Sequence, residues 1–232
     1  YYNMGNTLIG LGKANEAIDC YRKVVELSPT YAEAYNNMGV AYKNLGKAEV
    51  SIESYKKALE IRPNYAEAYN NMGNALKGMG KGDEAVAAYQ KALEINPNYI
   101  EARYNMGNTL SSQGRGDEAI ACFQKVLEIN PNHPESYNNM GNALKAQGKL
   151  EQAIECYQKT LTIDPRNTDA YYNMGNTLVD QGKFEEAVAA YQKAVEITPT
   201  YTEAYNNMGA AFKSMGKLEE SIEAYKGALK FT

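Results

Sequence analysis

The sequence predicts an all-α protein, a solenoid built from stacked antiparallel helix pairs. The motif Tyr-Asn-Asn-Met-Gly at residues 35–39 returns 34 residues later at 69–73, and again in phase at 137–141 and 205–209. Apolar residues between these motifs follow the three-and-four spacing of helices, and glycine and proline recur at fixed places in each period. A constant period of this length is the signature of helical repeats, which grow by stacking rather than by enlarging one core.

The repeats divide the whole chain without an insertion or deletion. Ala32 and Ala66 are taken as position 1 of their repeats, so Tyr1 stands at position 4. We expect a single solenoid over residues 1–232, with repeats at 1–31 (partial), 32–65, 66–99, 100–133, 134–167, 168–201 and 202–232 (partial).

Each repeat is predicted to hold a helix A at positions 1–14 and a helix B at positions 17–30. Glycine at position 15, such as Gly80, suits the left-handed conformation that ends helix A. Proline at position 32, such as Pro97, is predicted to open the next helix A, with Asn96 before it as the N-cap. The apolar faces are positions 4, 7, 8 and 11 of helix A and positions 20, 24, 27 and 28 of helix B.

The pattern Tyr-x2-Met-Gly-x2-Leu, then Ala-x3-Tyr, then Pro, resembles the tetratricopeptide repeat over essentially the whole chain. The resemblance implies a right-handed superhelix with the A helices along its concave side. Arg103 departs from the aromatic at position 4. Gly82 and Gly116 at position 17 are expected to weaken two helix starts by about 1 kcal/mol each, which would make the third and fourth repeats more mobile.

Asparagines form a column on the polar face of helix A. Asparagine is a mediocre helix former, so its recurrence at positions 5, 6 and 9 requires another reason. Its carboxamide donates and accepts hydrogen bonds, as each peptide unit of a guest backbone does. We therefore predict peptide-binding residues at position 6 (Asn3, Asn37, Asn71, Asn105, Asn139, Asn173, Asn207) and position 9 (Asn74, Asn108, Asn142, Asn176, with Asn6 in the first repeat).

The asparagine column is similar to that of the tetratricopeptide arm of O-linked N-acetylglucosamine transferases, and to backbone-gripping asparagines in the peroxisomal import receptor. It differs from the chaperone-tail clamp, which needs Lys or Arg where this chain has Glu, Asp, Asn or Tyr. Guest side chains would meet the position-5 tyrosines, the position-12 lysines and the position-2 carboxylates. The competing interpretation is that position 6 bonds neighbouring helix backbones and only locks the stack.

Composition excludes several classes of function. The chain carries 24 Lys and Arg against 28 Asp and Glu, a net charge of -4, and thus offers no basic surface for nucleic acid. No apolar run is long enough to span a membrane, and the first residues, Tyr-Tyr-Asn-Met-Gly, do not have the pattern expected of a signal peptide. Three cysteines, Cys20, Cys122 and Cys156, are predicted to be partly buried reduced thiols, which favours a cytoplasmic location.

No motif for catalysis, a cofactor or a metal ion is present. Gly-Lys pairs such as Gly80-Lys81 lack the following Ser or Thr of a phosphate loop. His133 is the only histidine and lies in a turn between repeats, which excludes a two-histidine zinc site. We expect a protein that is not an enzyme and binds no cofactor.

The leading hypothesis is a protein-interaction scaffold that holds an extended peptide in its groove. One alternative is the substrate-recognition arm of a larger enzyme such as a glycosyltransferase. Another is a structural scaffold that self-associates head to tail, since open repeat ends can stack. RNA binding of the one-base-per-repeat kind is disfavoured by the 34-residue period and the acidic charge.

Overall fold

The computed structural model describes residues 1–231, which contain fourteen α-helices and no β-strand. The helices are α1 (Tyr2–Gly10), α2 (Ala14–Leu27), α3 (Ala32–Asn44), α4 (Ala48–Ile61), α5 (Ala66–Gly78), α6 (Gly82–Ile95), α7 (Ile100–Ser112), α8 (Gly116–Ile129), α9 (Pro134–Ala146), α10 (Leu150–Ile163), α11 (Thr168–Asp180), α12 (Phe184–Ile197), α13 (Thr202–Ser214) and α14 (Leu218–Leu229). Odd-numbered helices are the A helices and even-numbered helices are the B helices. The predicted all-α solenoid of helix pairs is confirmed.

The contacts divide the chain into two compact units, which are described separately. The first comprises Tyr1–Gly114 and holds α1 to α7, and the second begins at Arg115 and holds α8 to α14. In each unit, helices that follow one another pack together, so every A helix touches the B helices on both sides of it within that unit. The prediction of one continuous solenoid stays a prediction.

Glycine at position 15 ends each A helix in the predicted way. Gly46 has φ +71°, a conformation that costs an L-residue with a Cβ. The N–H of Gly46 donates to the Lys43 carbonyl and the N–H of Lys47 donates to the Tyr42 carbonyl, both over 2.9 Å. These two bonds form a Schellman motif, which satisfies carbonyls that the helix end leaves unpaired. The glycines that share this positive φ are Gly12, Gly46, Gly80, Gly114, Gly148, Gly182 and Gly216.

The predicted N-cap at position 31 is wrong. Asn96 is the C-cap of α6, with extended backbone at φ -129° and ψ 93°, and its N–H donates to the Ala92 carbonyl over 2.9 Å. A residue before proline is disfavoured in the helical region, so it stops helix B instead of starting helix A. Pro97 lies in the turn, and α7 begins three residues later at Ile100 after the N-cap Tyr99.

Glycine at position 8 lets helix A press against the aromatic at position 24 of helix B. A Cβ on Gly73 would stand 2.6 Å from Cε1 of Tyr89, which is closer than real Cβ contacts. Tyr89 is fully buried, as are its counterparts Tyr21, Tyr55, Phe123, Tyr157 and Tyr191. Close helix approach therefore requires both the missing side chain and the large ring that fills the space beside it.

Candidate functional site

Within each unit, neighbouring A helices lie closer together than neighbouring B helices. Cα atoms of neighbouring A helices approach within 8 Å, for example between α3 and α5 or between α11 and α13. Neighbouring B helices make no such approach in the described part of either unit. The polar face of the A helices, hereafter the A face, carries the asparagine column.

In the first unit, position-6 asparagines bond the preceding A helix through their side chains. Asn71 Nδ2 donates to Asn36 Oδ1 over 3.1 Å, and Asn105 Nδ2 donates to Asn70 Oδ1 over 3.1 Å. Asn37 Nδ2 donates to the Tyr2 hydroxyl over 3.1 Å and to Asn6 Oδ1 over 2.9 Å. Asn3 lies exposed on the first helix.

The second unit repeats this arrangement. Asn173 Nδ2 donates to Asn138 Oδ1 over 3.3 Å, and Asn207 Nδ2 donates to Asn176 Oδ1 over 2.8 Å and to the Tyr172 hydroxyl over 3.1 Å. The asparagines thus link neighbouring repeats, as the competing interpretation required. Their partners are side chains of the preceding A helix and not its backbone.

Position-9 asparagines are held by the aromatic core. The Tyr89 hydroxyl donates to Asn74 Oδ1 over 2.8 Å, and the Tyr157 hydroxyl donates to Asn142 Oδ1 over 2.9 Å. Burial raises the pKa of Tyr89 to about 12, so its hydroxyl keeps the proton that it donates at neutral pH. The same bond joins Tyr21 to Asn6 and Tyr191 to Asn176.

These bonds fix which end of each amide faces outward. The Nδ2 groups of Asn74 and Asn142 make no hydrogen bond within residues 1–231, and neither do the Oδ1 atoms of Asn71 and Asn105. Asn142 is exposed and the other three are partly exposed. At these four residues, position 9 therefore offers donors and position 6 offers acceptors on the A face. Asn108 and Asn139 also interact with other groups of the chain.

Position 5 does not face the groove as uniformly as the sequence suggested. Asn36 is fully buried and Asn70 is 6% exposed, whereas Asn206 is exposed. Asn36 Nδ2 donates to Asn37 Oδ1 over 3.1 Å and to Glu67 Oε1 over 3.2 Å. The buried members satisfy a polar network between A helices, because a buried amide without partners would be costly.

Charged side chains border the A face. Lys145 pairs with Asp180 of the next A helix over 3.2 Å. Glu33 pairs with the Arg62 guanidinium, whose hydrogen bond lowers the pKa of that carboxyl. The predicted position-2 carboxylates are therefore unequal, since Glu33 forms an ion pair with an arginine whereas Glu67 does not in residues 1–231.

Sequence reasoning missed the bond between Tyr at position 24 and Asn at position 9. A signal was present, because the two residues lie 15 apart within one repeat, as in Tyr89 and Asn74. The one described hydroxyl of this buried set without a partner is that of Tyr55, whose repeat has Val40 at position 9.

The remaining candidate residues show structural roles. His133 is the N-cap of α9, where its Nδ1 accepts from the Ser136 N–H over 3.2 Å. The three cysteines are buried rather than partly buried, and burial raises the pKa of Cys156 to about 11.

In residues 1–231 no three His, Cys, Asp or Glu side chains are placed to hold a metal ion. None of the described helices is both long and apolar enough to cross a membrane.

Helix pairs that recur at a constant period, with helix A of each pair ended by a left-handed glycine, define a helical-repeat protein. Family models described as TPR repeat match residues 5–46, 141–181 and 175–216, and those described as tetratricopeptide repeat match 30–98, 76–143 and 202–232. The chain belongs to the tetratricopeptide repeat family. A search of curated proteins found no significant match.

Solved structures share the fold. The chain is 27% identical to YrrB, described as a TPR protein with an unusual peptide-binding site, with a TM-score of 0.67 over 79% of this chain and 95% of that one. It is 25% identical to MamA from Desulfovibrio magneticus RS-1, with a TM-score of 0.69 over 73% and 96% of the two chains. The pilF protein of Pseudomonas aeruginosa, at 20% identity and a TM-score of 0.72 over 86% of this chain and 94% of that chain, shares the fold.

Proposed function

We propose that the chain is a protein-interaction scaffold whose A face holds an extended polypeptide segment. The observation that carries this proposal is the fixed polarity of the asparagine amides. Tyrosine hydroxyls hold the Oδ1 of Asn74 and Asn142, which leaves their Nδ2 groups as outward donors. Neighbouring helices hold the Nδ2 of Asn71 and Asn105, which leaves their Oδ1 atoms as acceptors.

A peptide backbone matches such a surface. Each residue of an extended segment offers one carbonyl for an outward donor and one N–H for an outward acceptor. Amides already held in place lose little freedom when a guest binds, which favours affinity. Neighbouring A helices are about 10 Å apart, and an extended strand rises about 3.3 Å per residue. One asparagine of the column would therefore lie opposite every third guest residue.

The similarity to YrrB supports this proposal, since that structure is described as having a peptide-binding site. The asparagines themselves argue for recognition of the backbone rather than of one sequence. We therefore propose Asn3, Asn37, Asn71, Asn105, Asn139, Asn173 and Asn207, with Asn74, Asn108, Asn142 and Asn176, as the residues along which the guest lies.

A charge-matched pair of variants tests the proposal without removing the core hydrogen bonds. In Asn74→Asp with Asn142→Asp, a carboxylate oxygen still accepts from each tyrosine, but the outward donors are lost. Peptides selected from a random phage-displayed library on the unmodified chain serve as probes. We expect their affinity to fall about tenfold or more, since each lost hydrogen bond is worth about 1 kcal/mol and an unpaired guest carbonyl adds to the loss.

The control is Asn64→Asp with Asn98→Asp, which adds the same charge at exposed turn positions. Fluorescence anisotropy measures affinity, and circular dichroism shows that each variant remains folded. Equal affinity for the double variant and the unmodified chain would mean that the asparagines serve the stack alone. Esters placed at single backbone positions of the peptide should weaken binding with a period of about three residues.

Self-association is a second candidate, favoured by apolar side chains on the last B helix. Leu218 is 61% exposed and Ile222 is 55% exposed on α14, whereas Val188, which matches Ile222 one repeat earlier, is only 7% exposed. Met4 on α1 is 57% exposed, whereas Met208 at the same repeat position is 7% exposed. The exposed apolar residues of α14 in one copy would therefore pack against those of α1 in a second copy, in the way that one repeat packs against the next. This packing would give a head-to-tail contact. The role of a substrate-recognition arm within a larger enzyme stays a prediction.

A further inference from the structure

A cavity lies beside a gap in the asparagine column of the first unit, where one repeat lacks the asparagine at position 9. It measures about 280 Å³ and is lined by Asn6, Ile9, Tyr21, Asn37, Val40 and Glu67. Its walls come from the A helices α1, α3 and α5 together with the ring of Tyr21, so it lies on the A face. It has room for one long side chain rather than for a drug-sized molecule.

Val40 is the reason for the interruption. It occupies position 9, where the repeats on either side carry Asn6 and Asn74. The Tyr55 hydroxyl, which would donate to an amide there, is buried and has no hydrogen-bond partner in residues 1–231. Ser51, the polar side chain beside it, donates to the Gly39 carbonyl over 2.8 Å. An asparagine that could bind a guest backbone is thus replaced by the apolar Val40, and the Tyr55 hydroxyl is left without a hydrogen-bond partner.

Glu67 supplies the charge at the rim of the cavity. Asn36, which is fully buried, donates from Nδ2 to Glu67 Oε1 over 3.2 Å and holds the carboxylate in place. No lysine or arginine in the described part of the chain forms an ion pair with Glu67, whereas Glu33 is paired with Arg62. Burial raises the pKa of Tyr55 and Tyr65, and the negative charge of Glu67 nearby raises it further.

We propose that this cavity is a subsite for a lysine or arginine side chain of the bound segment. The aliphatic stem of such a residue would pack on Val40 and Ile9, and its cation would end at Glu67 on the exposed rim. Long basic side chains favour this division between an apolar wall and a charged edge. The inference rests on the proposed function, since it names a side chain of the same guest.

The corresponding cavity of the second unit does not share this chemistry. There the column is interrupted by Ala210, and the lining includes Val179, Phe184 and an ion pair between Lys145 and Asp180. Because that carboxylate already has a cation, it exerts less attraction on a basic guest side chain. We therefore expect the cavity of the first unit, through Glu67, to prefer a Lys or Arg side chain of the guest.

The test is a positional-scanning peptide library, with one residue fixed at a time, panned on the unmodified chain and on Glu67→Gln. We expect Lys and Arg to be enriched at one position on the unmodified chain. In Glu67→Gln we expect the affinity ratio of a lysine peptide to its norleucine analogue to fall about fivefold, the size suited to a partly exposed ion pair. Glu60→Gln, which removes the same charge from an exposed position on the B helix α4, is the control and should leave that ratio unchanged.

A second variant tests the apolar wall independently of the charge. Val40→Asn restores the asparagine at position 9 and removes the apolar wall. It should reduce the enrichment of Lys and Arg while the library peptides still bind. If the unmodified chain retained no peptide from the library, the proposed function itself would be contradicted. Peptide binding without a basic preference, or with a preference that survives Glu67→Gln, would overturn the subsite alone.

Discussion

At the scale of single residues, the amide at position 9 serves the core and the A face at once. Its Oδ1 accepts from a buried tyrosine, and its Nδ2 is directed outward. A hydroxyl taken out of water needs a partner, so the asparagine would be retained even if no guest ever bound. The hydrogen bond to the core explains why asparagine recurs in the middle of a helix, where its intrinsic propensity is poor.

The comparison of Tyr55→Phe with Tyr89→Phe tests this role. Tyr89→Phe removes a 2.8 Å hydrogen bond to Asn74, and we expect the local free energy of opening to fall by about 1 kcal/mol. Tyr55→Phe removes a hydroxyl that has no partner, so we expect no loss and a slight gain. Native-state hydrogen exchange in α4 and α6 is the measurement, because a repeat array need not unfold in one step. Equal losses in the two variants would show that the Tyr55 hydroxyl is satisfied.

At the scale of the helix, the glycines of α5 have opposite roles. A Cβ on Gly73 would collide with the Tyr89 ring, and we expect Gly73→Ala to lower the free energy of unfolding by about 1–3 kcal/mol. Gly78 in the same helix has open space around its Cβ position. We expect Gly78→Ala to raise the free energy of unfolding by about 0.5 kcal/mol through helix propensity. Thermal unfolding followed by circular dichroism should move in opposite directions for the two variants.

The sequence predicted the helices well because their limits depend on local chemistry. The glycine at position 15, such as Gly46, needs only its own backbone freedom to end helix A. The start of helix A at position 1 is confirmed, for example at Ala66 and Ile100. The N-cap at position 31 was predicted wrongly, because an asparagine before proline can either end one helix or begin the next, and Asn96 ends helix B. The position-5 residues Asn36 and Asn70 became buried through contact with the next A helix, which the repeat period alone does not reveal.

At the scale of the whole chain, the exposed apolar residues of α14 lead to a prediction about assembly. If copies stack head to tail, molar mass from light scattering should rise with protein concentration. Ile222→Lys places a charge on the α14 face and should keep the chain monomeric, since an unpaired charge is costly in an apolar contact. Ile129→Lys, which charges another exposed isoleucine of a B helix, is the control. A mass that stays at the monomer value at all concentrations would rule out this candidate.

Because the complete repeats share one 34-residue period, the bond between neighbouring A helices is the same wherever position 5 of the preceding repeat carries asparagine. Asn105 donates to Asn70, and Asn71 donates in the same way to Asn36. If residues 66–99 were lost from the gene as one block, Asn105 would follow Asn36 and find the same acceptor there. Unequal recombination can therefore lengthen or shorten the row of amides by one repeat at a time, without a new kind of contact between helices.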